Sequence, residues 1–203
     1  YDRLVGSEMC IRDRYNIYKL NQNFSDDRLK TYVSDIKDYQ MMDYFFNTFR
    51  PDIVFHAAAL KHVNIQEKNI RDCLLTNVFG TNNVLELSIK YNISNFVLIS
   101  TDKAVEPSNY MGLSKRIAEI LVEFHSHQAN VKMSSVRFGN VIGSSGSVLN
   151  HFSSLIKNKK DIVITHRKVA RFFMSIKEAC YLVLLCIKNS QNNHQVFMLD
   201  MGE

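Results

Sequence analysis

Three absences narrow the reading of this chain before any motif is found. Its seven glycines (Gly6, Gly80, Gly112, Gly139, Gly143, Gly146 and Gly202) form no GxGxxG. A dinucleotide fold opens with a strand, a Gly-rich turn and a helix whose N-terminus holds the pyrophosphate, and that signature is missing. The loop from Gly139 through Gly143 to Gly146 has the wrong spacing and comes too late. The four cysteines (Cys10, Cys73, Cys180 and Cys186) include no CxxC pair. Neither a zinc site nor a disulfide framework is supported, and no metal is expected. A reducing cytoplasm is the simplest setting. No run reaches the roughly 18 apolar residues of a membrane helix, and no secretory signal is visible.

What is present is ordinary for a globular domain. The 203 residues are 46% apolar and 22% charged, enough for one domain with a real core. The formal charge of +5 comes from lysines and arginines scattered along the chain. Such scatter reads as a solvated surface rather than a nucleic-acid face, and it also suits an anionic small ligand. There is no internal repeat and no low-complexity linker. The opening string "YDRLVGSEMCIRDR" has no clear apolar period, and "GSEMCIRDR" is similar to translated adapter read-through. Residues 1–14, Cys10 included, are therefore expected to stand outside the native fold. Both ends read as cuts, with the first strand–turn–helix lost.

From there the pattern alternates. Thr31 to Ser34 reads as a short strand, "YQMMDYFFNTF" as a helix before Pro51, and "DIVFHAAA" as a strand buried on both faces. A long helix is expected over "NIRDCLLTNVFGTNNVLELSIKYN", then a strand at "NFVLIS". In "MGLSKRIAEILVEFHSH", Ile117, Ile120, Leu121 and Phe124 share one side of an amphipathic helix. A third strand follows at "KMSSVRFG". Strand, helix, strand, helix, strand defines an α/β fold with a parallel, Rossmann-like sheet and right-handed crossovers. After Gly139 come a Gly/Ser loop, a helix at "LNHFSSLIKN", a strand at "DIVIT", a helix at "IKEACYLVLLCIKN" and a strand at "VFMLD". The division expected is 15–139 for a partial dinucleotide-binding domain and 140–203 for part of a smaller substrate-side lobe.

Ligands of open α/β sheets collect beyond the carboxyl ends of the strands. Three strand ends here carry unusual residues. His56 with Ala57, Ala58 and Ala59 suits a flat ring lying against the backbone, and equally suits close helix packing. Thr101, Asp102 and Lys103 put a hydroxyl, a carboxylate and an amine on one strand tip, or form a solvated turn. Arg137 and Asn140 feed the Gly/Ser loop, or form a surface turn. Lys115 follows on the next helix. Four residues before it stands Met111, with Tyr110 one place earlier. Lys115 and Glu119 are i and i+4. Taken alone, they read as a surface salt bridge, and Met111 as a core residue.

Together these segments are far more specific. In order they are "DI" after a strand, "HAAALKHV", "TNVFGTNNV", "STDKAVEPSNYMGLSKR", "VRFGNVIGSSGSV", "TH", "RFFMSIKEA" and "VFMLDMGE". From about Val33 to Glu203 the chain resembles the UDP-N-acetylglucosamine 4,6-dehydratase branch of the extended short-chain dehydrogenase/reductases. It is most similar to the long polysaccharide-biosynthesis members, which carry methionine where others carry tyrosine. Departures are modest: Asn64 and the residue after His166 stand where proline is usual, Ser108 where threonine is, and Phe172 where tyrosine is. The missing Gly-rich turn is the serious one.

The resemblance implies NAD as cofactor, a UDP-sugar as substrate, a homo-oligomeric parent and no nucleic acid. It implies internal redox that converts a UDP-N-acetyl-hexosamine to its 4-keto-6-deoxy sugar. It also implies roles. Lys103 would be the base toward C5 and Asp102, its pKa raised, the acid toward the leaving hydroxyl. Thr101 would pass on the 4-hydroxyl proton, Met111 would pack, and Lys115 would hold the nicotinamide ribose. Asp35 and Ile36 would flank the adenine, Ala57 to Ala59 line the dinucleotide, and Asn77 brace the helix near Lys115. Lys61, Asn140, Ser147, Val148 and Arg171 would meet the sugar nucleotide, with Arg171 as the diphosphate clamp. Sister 4-epimerases and 5-inverting dehydratases are the competing readings, as is a non-catalytic fragment. The parent of this branch can carry a membrane region, whereas these residues are expected to touch no membrane.

Overall fold

The computed structural model describes residues 4–6, 11–24, 26–144, 148–164, 166–168, 170–190 and 194–199. Its centre is a four-stranded parallel sheet of β3 (Ile53–His56), β4 (Asn95–Ile99), β5 (Lys132–Arg137) and β8 (Gln195–Met198), in that order. Ile53 pairs with Asn95, Asn95 with Lys132, and Ser134 with Gln195. All four strands run the same way, so their carboxyl ends share one edge. Two shorter parallel pairs accompany them: β1 (Leu4–Gly6) with β2 (Leu29–Thr31), and β6 (Asn140–Val141) with β7 (Phe173–Met174).

The helices are α1 (Ile11–Asn23), α2 (Tyr39–Phe49), the short α3 (Val63–Gln66) and α4 (Ile70–Leu74), α5 (Thr81–Lys90), α6 (Tyr110–Ser126), α7 (Val148–Lys157) and α8 (Ile176–Asn189). Successive side chains of a strand point to opposite faces, and β4 is apolar from Phe96 to Ile99. Phe96 and Leu98 join Phe45, Phe46, Leu85, Leu87, Val122 and Met133 on one side. Val97 joins Val136, Val183 and Cys186 on the other, under α8. A strand covered on both faces favours a near-continuous apolar run, which explains the unbroken "FVLI". Local signals set the helix starts. Asp38 accepts from the Met41 backbone N–H, and Asn109 from that of Gly112. Ser175 and Glu178 close a reciprocal capping box at the start of α8.

The structure differs from the sequence reading in several places. Within the segment set aside, Leu4–Gly6 forms β1 and α1 begins at Ile11, so a strand, helix and strand precede α2 without a GxGxxG. The strand expected over 31–34 sits at Leu29–Thr31. "DIVIT" forms no strand over its described residues 161–164, where Val163 and Ile164 lie exposed. The long helix through Asn77 is interrupted by a π-helical stretch, Leu75–Gly80. The largest reversal is in α6. Its buried residues are Met111, Gly112, Ser114, Lys115, Ala118, Glu119, Val122 and Ser126. Ile120 and Phe124, expected inward, are 48% and 56% exposed. Small Ser114 and Ala118 let the helix approach closely. The two charged groups beside them find partners inside, as described below.

Gly112 shows how tight that approach is. A Cβ there would lie 2.5 Å from the backbone oxygen of Lys103. Backbone cannot move aside cheaply, so only glycine lets the start of α6 rest on this turn. Gly112→Ala is expected to destabilise the chain by about 2 kcal/mol, read as a lowered midpoint in urea. An unchanged midpoint would show that the Lys103 turn yields freely.

Candidate active site

Directly after β4, Thr101 is the N-cap of a single 3-10 turn, Asp102–Ala104. Its hydroxyl donates to Asp102 Oδ1 at 2.8 Å, and Lys103 Nζ donates to the same oxygen at 2.9 Å. The Asp102 backbone N–H donates to the Phe138 carbonyl at 3.2 Å, which ties the turn to the end of β5. The two charged side chains are partly open to solvent, 50% for Asp102 and 34% for Lys103. Burial alone would raise the Asp102 pKa. The hydrogen bonds from Lys103 and Thr101 outweigh it and hold the carboxyl below its ordinary range. This corrects the raised value expected of an acid: in the free chain Asp102 is an ionised partner of Lys103.

Lys115 lies one helical turn beyond Met111, and both are buried. Its Nζ donates to the Ile99 carbonyl at 2.7 Å. Burial is the larger influence and brings its pKa down to about 8, against the opposing pull of Glu119 and Cys73. His56, at the end of β3, is buried beside Thr81, with Nε2 and Oγ1 2.9 Å apart. Burial and the nearby Lys115 charge push it down to about 3. Asn77, in the π-helical stretch, ties three elements together. It accepts from the Leu60 N–H at 2.7 Å and donates to the Leu60 carbonyl and to Ser114 Oγ at 2.9 Å. It thereby fixes the loop after Ala59 against α6 near Lys115. π-helical turns are frequent at functional sites.

The other residues singled out from sequence are distributed as follows. Ala57 is exposed and Ala58 and Ala59 half-buried just past β3. The Asp35 carboxylate accepts from the Lys37 N–H at 2.8 Å and pairs with Lys37 Nζ at 3.3 Å. Ile36 is 2% exposed and packs in the core, under Gly80. Lys61 is exposed in the loop that Asn77 braces. Asn140 pairs with Phe173 across β6 and β7, and its N–H donates to the Phe172 carbonyl. Arg171 is exposed and donates to the adjacent Ala170 carbonyl. Val148 is exposed at the start of α7. Ser147 lies outside the described residues.

Two readings of charged residues are overturned. Lys115 and Glu119 form no surface bridge: the Glu119 side chain is fully buried. It accepts from Ser100 Oγ at 2.6 Å, Arg137 Nε at 2.8 Å and Arg116 at 3.0 Å, and the second Arg137 donor completes a two-armed contact. Arg137 is thus no surface turn residue. Ser100 and Glu119 were missed as site residues. The available signal was that Glu119 shares a helix face with Lys115, Ala118 and Val122, which read as one stripe mixes charge with small apolar groups.

A parallel sheet with a hydroxyl, a carboxylate and an amine on the turn beyond β4 and a buried lysine on the following helix is a Rossmann-type α/β arrangement. The chain belongs to the family described as polysaccharide biosynthesis protein, which it matches over residues 7–203. It is 39% identical to the capsular polysaccharide biosynthesis protein CapD of Staphylococcus aureus, over 98% of this chain and 36% of that protein. It is 38% identical to a UDP-glucose 4-epimerase of Rickettsia canadensis, over 82% of this chain and 49% of the relative. The chain therefore spans between a third and a half of these relatives. Among solved structures, DesIV of Streptomyces venezuelae, a dTDP-glucose 4,6-dehydratase with NAD bound, superposes with a TM-score of 0.88. That match covers all of this chain and 67% of DesIV at 16% identity, a likeness of fold. Among the described residues, no helix is long and apolar enough to cross a membrane, and no three acidic, histidine or cysteine side chains are grouped to hold a metal ion.

His56 makes the first site prediction. Its folded pKa lies below the ordinary 6.5. The neutral ring's contribution to stability is complete above that value and is lost as pH falls toward about 3. The unfolding free energy should drop by up to about 1.4 kcal/mol per pH unit in this window on its account. In His56→Asn that part of the slope should vanish; equal slopes in both proteins would refute the assignment.

Proposed function

We propose that this chain carries the catalytic centre of a nucleotide-sugar 4,6-dehydratase, which removes water from a UDP-N-acetyl-hexosamine to give a UDP-4-keto-6-deoxy sugar for cell-surface polysaccharide. The observation that carries the reading is the Asp102–Lys103 contact just beyond β4, on the turn against which α6 packs at Gly112. Oxidation at C4 alone needs no extra acid and base. Loss of water across C5 and C6 needs both.

The residues present fit the nicotinamide half of NAD. Lys115 offers a buried ammonium with donors to spare beyond its one bond to Ile99, suited to ribose hydroxyls, and Ala57 to Ala59 leave the strand end uncrowded. Asp35 would meet the adenine. Bound NAD would supply the acceptor and later the donor of a hydride at the sugar. The rest is the work of this chain. The ion pair found between Lys103 and Asp102 can pass one proton along its 2.9 Å hydrogen bond and become an amine and a carboxylic acid, with no change in net charge. Closure around a substrate favours that neutral form, because desolvation penalises both ions. The Lys103 amine then takes the C5 proton, and the Asp102 acid protonates the departing 6-hydroxyl, which leaves as water. Lys103 returns its proton to C5 when C6 is reduced. The proton released by the 4-hydroxyl at the first oxidation leaves toward solvent through the Thr101 hydroxyl, and one proton from solvent restores the Asp102–Lys103 pair after turnover. Asn140, Lys61, Ser147, Val148 and Arg171 are the residues proposed to meet the sugar nucleotide, with Arg171 as the diphosphate clamp.

The whole protein is proposed to act as a homo-oligomer, and the 203-residue chain alone to bind NAD weakly and turn over nothing. In the full-length protein, Lys103→Ala should lower 4-keto-6-deoxy sugar formation by about 10²–10⁴-fold, followed by NMR in heavy water. Dehydration at the normal rate would remove Lys103 as the base. A 4-epimerase is the second reading, favoured by the similarity to the Rickettsia canadensis protein. It would yield a C4-inverted sugar with no loss of water in the same spectra.

A further inference from the structure

The most heavily satisfied charged group in the described structure takes no part in the mechanism above. Glu119 sits one turn after Lys115 on α6, and its carboxylate is sealed from solvent. Its partners come from three places. Ser100 is the last residue before the Thr101–Lys103 turn. Arg137 is the last residue of β5, and its own carbonyl accepts from Leu199 beyond β8. Arg116 belongs to α6 itself. Lys115 meanwhile holds the Ile99 carbonyl. One helical turn of α6 thus grips two consecutive residues, Ile99 at the end of β4 through an ammonium and Ser100 just beyond it through a carboxylate. The same carboxylate anchors the end of β5, whose next residue, Phe138, accepts from the Asp102 N–H.

We infer that Glu119 is a positioning residue: its buried carboxylate clamps the tips of β4 and β5 to α6, so that the Thr101–Lys103 turn and the Lys115 ammonium are held in one fixed arrangement. A purely structural ion pair could sit anywhere along the helix. This one sits at the single level where the reactive turn and the reactive lysine meet the sheet.

The clamp also acts through charge. The groups that act electrostatically with Lys115 are His56 from β3, Cys73 from α4 and Glu119 from α6 itself. Glu119 pulls the lysine toward its charged form while burial works against it. Burial would also raise the Glu119 pKa, but the bonds from Arg137, Ser100 and Arg116 hold it below its ordinary value, so the carboxylate stays ionised. The use of this arrangement depends on the proposed function; the arrangement itself does not.

The test uses the 203-residue chain with ¹³Cε-labelled lysine, the Lys115 resonance being the one lost in Lys115→Met. The wild-type resonance should titrate near 8. Glu119→Gln leaves Arg137 buried without a counter-charge and can fail to fold. The paired variant Glu119→Gln/Arg137→Met removes both charges together, and such neutral replacements of buried ion pairs are commonly tolerated. In the paired variant the Lys115 midpoint should fall by about one pH unit, and the amide resonances of Thr101, Asp102 and Lys103 should shift or broaden. A folded variant with an unmoved midpoint and unmoved amides would overturn the inference. Failure of both variants to fold would also overturn it, by showing a requirement for the fold as a whole. None of these readouts involves NAD or a sugar, so a failed dehydratase reading would leave them unchanged.

Discussion

A helix that buries a lysine and a glutamate one turn apart must offer each a partner, or leave a charge uncompensated inside the protein. α6 finds those partners in the exposed ends of two parallel strands. The last carbonyl of β4 takes the Lys115 ammonium, while Ser100 and Arg137 take the Glu119 carboxylate. Parallel strands end together with carbonyl and N–H groups that have no further ladder partner. The helix and the sheet edge thereby satisfy each other, and the place where they do so is the place where the candidate chemistry lies.

Several other features make sense only around that contact. Gly112 is needed because the helix starts hard against the Lys103 backbone. Ser114 and Ala118 are small because larger groups would hold α6 away from the sheet and the π-helical stretch. Asn77 satisfies the backbone of Leu60 and reaches Ser114, so the loop past β3 is fixed to the same helix. Lys115 and His56 both hold pKa values well below their ordinary ones, and burial is the main cause in each. Such displaced groups cost stability and are found preferentially where chemistry is done. The apolar side chains of α6 that face outward, Ile120 and Phe124, are the counterpart of this choice. The inner face of the helix carries the two charges and several small residues beside Met111 and Val122.

The turn after β4 is held less rigidly than the groups behind it. Asp102 and Lys103 are partly solvated and bonded to one another, whereas Glu119 and Lys115 are enclosed. This gradation suits a site whose outer pair must exchange its mutual contact for contacts to a substrate while the inner pair stays in place. In the free chain burial would raise the Asp102 carboxyl, and the hydrogen bonds from Lys103 and Thr101 hold it low.

The α/β class, the strands at β3, β4 and β5 and the cluster of Thr101, Asp102 and Lys103 at a strand end could all be read from the order of residues. A strand covered on both faces reads as a near-continuous apolar run, and in β4 that run stops abruptly before the hydroxyl, carboxylate and amine of Thr101, Asp102 and Lys103. The resemblance of the ordered motifs to the polysaccharide-biosynthesis branch was likewise a property of the string. What could not be read was which face of α6 turns inward. Periodicity counts apolar side chains and pointed to Ile117, Ile120, Leu121 and Phe124. The fold instead buries the face whose charges have partners, and those partners, Ser100 and Arg137, belong to strands separated from Glu119 in sequence. Only the three-dimensional pairing of strand ends with the helix could decide that. A buried charge is tolerable solely where distant backbone and side-chain groups converge on it, and a one-dimensional pattern holds no record of that convergence.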